Sequence, residues 1–163
     1  MSVPKSKRRE SSVQFIDTAH KLKRHINYYT NGEKFIKGNP QNKWNKVDRI
    51  YQQDLAYLRK LGNDVYKNII TANVFNPEIE EEYFERKKHL KYALANLYLI
   101  DEEEQRLIEK YVVFDTETDE PTSILPNEYF YEKLAMLLDE EEKLILGLLS
   151  SDKKRYHNNN NRT

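Results

Sequence analysis

Between positions 44 and 72 the apolar residues fall at Trp44, Val47, Tyr51, Leu55, Leu58, Val65, Ile69 and Ala72, with Gly62 completing a series in which every step is three or four. Its eight steps cover 28 residues, a period of 3.5. That spacing keeps one seam facing an antiparallel neighbour in a helical bundle, whereas a strand needs a period of two. The seam predicts a helix over 41–75. Gly62 lies on it, and two readings fit: a close approach by a neighbouring backbone or large side chain, or a tolerated weak point in the helix.

Three more segments follow the same rule. Val13, Ile16, Ala19, Leu22, Ile26 and Tyr29 form a stripe over 12–30, with Ser11 or Ser12 able to cap it. Asn76-Pro77-Glu78 reads as a helix start, because Asn can cap, Pro needs no amide partner in the first turn, and the acids that follow suit the positive end of the dipole. That helix should run over 77–111. Its centre is apolar on more than one face: Leu90, Leu94 and Leu97 suit a core, while Tyr92, Ala95 and Leu99 form a second stripe. Either a wide monomeric core or an oligomer interface would cover that stripe. A fourth helix over 127–150 has the seam Phe130, Leu134, Leu137, Leu144 or Ile145, and Leu148.

With 4 glycines and 5 prolines among 163 residues, breakers are too few for a compact all-β chain. The expected fold is an all-α, antiparallel up-down four-helix bundle over 11–152. Residues 1–10 read as a flexible basic arm and 153–163 as a polar, disordered tail. The acidic stretch 115–127, with Pro121 and Pro126, reads as a loop.

The absence of cysteine excludes disulfides, thiolate nucleophiles and Cys-containing zinc sites. No apolar run reaches the roughly 20 residues of a membrane span, so no membrane partner is expected and the compartment reads as cytoplasmic. A di-iron bundle site would need Glu-x-x-His on two helices. Glu85 and His89 are four apart and the pair does not recur, while His20 and His25 stand alone. Asp101 to Glu104 occupy successive helical positions that point in different directions, which suits a solvated face. No phosphate loop, Gly-x-Gly-x-x-Gly or His-Glu-x-x-His motif occurs. We therefore expect no enzyme, no metal and no cofactor.

The net charge of zero hides an asymmetry: residues 1–75 carry 15 Lys and Arg against 6 Asp and Glu, and residues 76–163 carry 12 against 21. Lys7, Arg8, Arg9, Lys21, Arg24, Lys43, Lys46 and Arg49 are the candidates for contact with an RNA or DNA backbone, and Lys87, Lys88 and Lys91 cluster on the third helix. Tyr28, Tyr29 and Trp44 are close enough in sequence to stack on unpaired bases, although Trp44 also belongs to the core seam. Solvated helix faces account for the same lysines equally well.

Ser2-Val3-Pro4-Lys5-Ser6-Lys7-Arg8, the helix start at Phe15-Ile16, the run from Val65 to Asn73, and Ser151-Asp152-Lys153-Lys154 resemble the four-helix-bundle accessory proteins of diversity-generating retroelements, the accessory variability determinants. The resemblance extends over most of the chain in helix order and length. It implies a homo-oligomeric ring of five bundles, a pentamer, that binds nucleic acid and the retroelement reverse transcriptase and supports complementary-DNA synthesis without catalysing it. Family members are typically basic, whereas this chain is neutral and has an acidic segment at 115–120. The competing expectation is a phage or bacterial protein-interaction scaffold without nucleic-acid binding.

Overall fold

The computed structural model describes residues 5–30, 49–111, 113–114, 121–123 and 128–162, with side chains over 14–30, 53–110 and 129–162. Four long helices carry the fold: α1 (Lys5–Thr30), α2 (Arg49–Val74), α3 (Glu80–Tyr111) and α4 (Glu128–Asn160). Two short strands, β1 (Val113–Phe114) and β2 (Pro121–Ser123), pair antiparallel between α3 and α4. Pro121 opens β2, a position where its missing amide costs little.

Each helix packs against two others in a closed ring of neighbours, α1–α2–α3–α4 and back to α1, and α2 with α3 forms the most extensive interface. On all four seams the residue numbers rise along one helix as they fall along the next. Thr18 and His25 of α1 meet Glu140 and Phe130 of α4. Ile26 and Thr30 meet Gly62 and Arg59 of α2. Asp54, Asn68 and Ala72 of α2 meet Arg106, His89 and Arg86 of α3. Glu80, Arg86 and Tyr98 of α3 meet Tyr156, Asp152 and Glu142 of α4.

The α2 seam is buried from Leu55 to Ala72 as its spacing predicts, while Trp44 and Val47 lie outside the described residues. Gly62 takes the first of its two readings. A Cβ there would stand 2.9 Å from Ile26 Cδ1, so the glycine makes room for a fully buried isoleucine of α1. Leu90 and Leu97 are buried and Leu94 packs against the core, whereas Tyr92 and Leu99 are 52% and 45% exposed and Ala95 is exposed beside them. On α1, Phe15 is buried while its neighbour Ile16 is only partly so. The core stripe therefore takes in a residue that the periodic series left out.

Both ends differ from expectation. α1 begins at Lys5, so Lys7, Arg8 and Arg9 sit on helical backbone and not on a flexible arm. The stretch that follows Pro4 holds no further breaker and is rich in Lys, Arg and Glu, which are good helix formers. At the other end, the expected disordered tail is the last turns of α4, which continues to Asn160. Polar contacts hold it. Arg86 Nε donates to Asp152 Oδ2 at 2.6 Å with both side chains buried, and Arg86 Nη1 donates to the Ala72 carbonyl at 3.0 Å. Tyr156 stacks on Tyr83 with ring centroids 4.4 Å apart, and Asn159 Nδ2 donates to the Glu78 carbonyl at 3.2 Å.

α3 starts at Glu80, three residues after its expected first position. Asn76 still acts as its cap one turn earlier: Oδ1 accepts the Glu78 amide at 2.9 Å, and Glu82 Oε2 accepts the Asn76 amide at 2.6 Å.

Arg86 joins the Ala72 carbonyl, in the last turn of α2, to Asp152 of α4, so deleting that carboxylate leaves a buried guanidinium without its counter-charge. The expected cost of Asp152→Ala is about 3–5 kcal/mol. Urea unfolding followed by circular dichroism measures it, and an unchanged midpoint would refute it.

Candidate nucleic-acid interface

The seam between α1 and α4 is aromatic where the two helices meet near Phe130. His25 Nε2 donates to the Phe130 carbonyl at 2.9 Å and its ring stacks on the Phe130 ring, with centroids 5.2 Å apart and planes 11° from parallel. Tyr29 approaches His25 at 4.9 Å and Tyr129 at 6.1 Å, and Tyr28 meets Tyr29 edge-on at 4.9 Å. Burial lowers the His25 pKa below its usual value against the opposing effect of the Phe130 hydrogen bond, and Lys133 lowers it further. The ring is therefore neutral at pH 7, with its proton on Nε2 and a lone pair on Nδ1.

Outside this inner layer lies a groove of about 760 Å³ lined from α1 by Lys21, Arg24, Tyr28 and Tyr29 and from α4 by Tyr129 and Lys133. Tyr28 is 54% exposed and Tyr129 56%. Among the described residues neither Arg24 nor Lys133 forms an ion pair, whereas Lys21 is bound by Asp17 at 2.9 Å and contributes less net field. Positions 21, 24 and 28 share one stripe of α1, and 129 and 133 share one stripe of α4. Cations and rings thus converge on a single concave surface.

The opposite face of the ring of helices has the other sign. A groove of about 360 Å³ between α2 and α3 is lined by Tyr57, Leu99, Glu102, Glu103, Arg106 and Glu109. Arg106 is held by Glu103 at 2.5 Å and Asp54 at 2.7 Å, which raises its pKa, and Lys110 joins Asp54 at 3.2 Å.

Of the basic residues singled out in the sequence, Lys21 and Arg24 lie in the α1/α4 groove. The side chains of Lys7, Arg8, Arg9 and Arg49 are outside the described residues, as are Lys43 and Lys46 altogether. The α3 lysines stay apart from the groove: Lys88 pairs with Glu85 at 2.9 Å and Lys87 lies over the Tyr83 ring. His89 hydrogen-bonds Asn68 Oδ1 through Nδ1 at 3.0 Å and stacks on Phe75, a packing role. Tyr129 and Lys133 did not stand out in the sequence, because they sit in the acidic half of the chain. Their spacing of four, flanking the buried Phe130 and Leu134, is the signal that places them beside the seam.

The core also holds an acid that the apolar seam passes over. Glu141 continues the series Leu134, Leu137 and Leu138, and Ile145, with 0% exposure, and neither carboxyl oxygen has a hydrogen-bond partner among the described residues. Burial, reinforced by Glu140, pushes its pKa up to about 9. Glu104, also buried, is pushed up to about 7 by burial and by Asp101, and it helps burial raise the pKa of Tyr131. Among the described residues no group of three His, Cys, Asp or Glu is placed to hold a metal.

No protein-family model, curated protein or solved structure matches this chain.

The folded state holds the Glu141 proton to higher pH than the unfolded chain does, so stability falls as pH rises from about 4.5 towards about 9. The slope approaches 1.4 kcal/mol per pH unit, at about 25 °C. Glu104 adds to the decline up to about 7, and His25 opposes it only below its unfolded pKa of 6.5, where acid protonates the unfolded ring first. Glu141→Leu should raise the melting temperature at pH 8 and flatten the decline between pH 7 and 9. Parallel thermal melts of the two proteins check this, and an unchanged slope in the variant would contradict it.

Proposed function

We propose that this chain is a non-catalytic, antiparallel up-down four-helix-bundle protein of the cytoplasm that binds RNA or DNA in the α1/α4 groove. The observation that carries this reading is the convergence of Arg24, Lys133 and two half-exposed tyrosines from two helices on one concave surface. Cations give affinity for phosphates without reading sequence, and tyrosine faces accept bases of any kind. Lys7, Arg8, Arg9, Lys43, Lys46 and Arg49 extend the basic character of the first half of the chain. The exposed Tyr92, Ala95 and Leu99 of α3 are our candidate contact between copies. From the sequence resemblance we take the partner to be the reverse transcriptase of a diversity-generating retroelement and the assembly to be a pentamer. A reverse transcriptase gene and template repeat beside this one would support that assignment.

Arg24 and Lys133 predict that log K falls against log salt with a slope of about −1.4 for a single strand, and more steeply with each further contact. Arg24→Glu with Lys133→Glu should weaken binding by roughly tenfold or more in low salt and reduce the slope by about 1 or more. Fluorescence anisotropy with a labelled oligonucleotide reads both quantities, and no binding at low salt removes the proposal.

For self-association, Leu99→Glu should lower the mass in sedimentation equilibrium while leaving the helical content unchanged. A monomeric parent protein would refute this part of the reading.

The acidic α2/α3 groove favours a second reading, a scaffold that receives a basic protein partner there. Salt-sensitive association with such a partner, without nucleic-acid affinity, would select it.

A further inference from the structure

The groove between α1 and α4 is ordered along its length. His25 lies against Phe130 and Thr18 against Glu140, so Tyr28 comes level with Tyr129, and Arg24 with Lys133. Tyr29, next to Tyr28 in the chain, is within 6.1 Å of the Tyr129 ring, and Lys133 is close enough to act on His25. Each wall therefore presents a tyrosine and, four residues or about 6 Å along the helix axis, a cation. The same order holds on both walls, with aromatic rings at one level and positive charge one turn away.

That arrangement suits a nucleotide whose base is turned out of a helix. The offset between ring and cation is comparable to the distance between a base and the phosphate of its own nucleotide. A base laid on Tyr28 or Tyr129 would bring its phosphate toward Arg24 or Lys133. In a duplex both faces of an internal base are covered by its neighbours, so a double strand reaches the cations and finds no use for the rings. The inner layer keeps the rings in place: Tyr28 rests edge-on against Tyr29, and both Tyr29 and Tyr129 pack against His25, itself stacked on the buried Phe130.

Resting on the nucleic-acid reading above, we infer that the α1/α4 groove is a single-strand site, in which Tyr28 and Tyr129 hold unpaired bases and Arg24 and Lys133 hold the adjoining phosphates. The ligand is an unpaired segment of RNA or DNA, and the site discriminates strand state and not base sequence.

The test uses the full-length protein with a labelled twelve-nucleotide oligothymidine and with the same strand annealed to its complement, by fluorescence anisotropy at low salt. The single strand should bind about tenfold or more tightly than the duplex. Tyr28→Ala with Tyr129→Ala should remove most of that preference by weakening the single strand about tenfold, leaving the duplex within about twofold. Tyr28→Phe with Tyr129→Phe should keep the preference, because the ring face remains. Equal affinity for the two probes, or an equal loss on both in the alanine variant, overturns the inference. If Arg24→Glu with Lys133→Glu still weakens both probes in that case, the broader nucleic-acid reading stands while the single-strand inference falls. If neither probe binds the parent protein, both fall.

Discussion

The fold depends on four apolar stripes that no helix can cover alone. That of α2 runs from Leu55 to Ala72, and it is closed on one side by α1 and on the other by α3. The α1 contact is tight because Gly62 has no side chain where the Ile26 side chain packs, so a larger residue there would have to displace the tip of that isoleucine. The hydrophobic driving force is itself non-directional. Directional contacts supply what it lacks. Arg86 ties α2, α3 and α4 together at one end, and the His25 bond to the Phe130 carbonyl aligns α1 with α4 nearer the other.

The alignment of α1 with α4 has a chemical consequence. It joins tyrosines and cations from two helices that are separated by more than a hundred positions in sequence. Net charge summed over halves of the chain misses this, because Lys133 belongs to the acidic half and Lys21 of the basic half is balanced by Asp17. What a ligand meets is the local field along one seam. The α2/α3 seam on the other face, rich in glutamate, is its electrostatic opposite. A neutral chain can thus offer a basic groove to an anionic ligand, since exposed charges more than about 10 Å away are largely screened in 0.1 M salt.

Much of this fold was legible in the spacing of apolar residues. The α2 seam, the core residues Leu90 and Leu97 and the α4 series through Phe130, Leu134, Leu137 and Ile145 follow from it directly. Polar residues were the harder ones. Tyr156 and Asn159 look like part of a disordered tail until Tyr83 and the Glu78 carbonyl are beside them, and such partners are invisible to local periodicity. Glu141 occupies a core position that its chemistry argues against. Of the groove, Lys21, Arg24, Tyr28 and Tyr29 could be read from α1, while Tyr129 and Lys133 needed the register between helices. The opposite ends of the chain were misjudged for one reason: composition alone underrates a helix that continues from a well-anchored one.

We propose above that nucleic acid lies between α1 and α4 against the exposed tyrosines. Ultraviolet cross-linking of the intact protein to a single-stranded oligonucleotide, followed by mass spectrometry of the tryptic peptides, locates the contact directly. Nucleotide adducts are expected on the peptides that contain Tyr28 and Tyr129. Adducts confined to the α2/α3 face, or to peptides outside the groove, would contradict it.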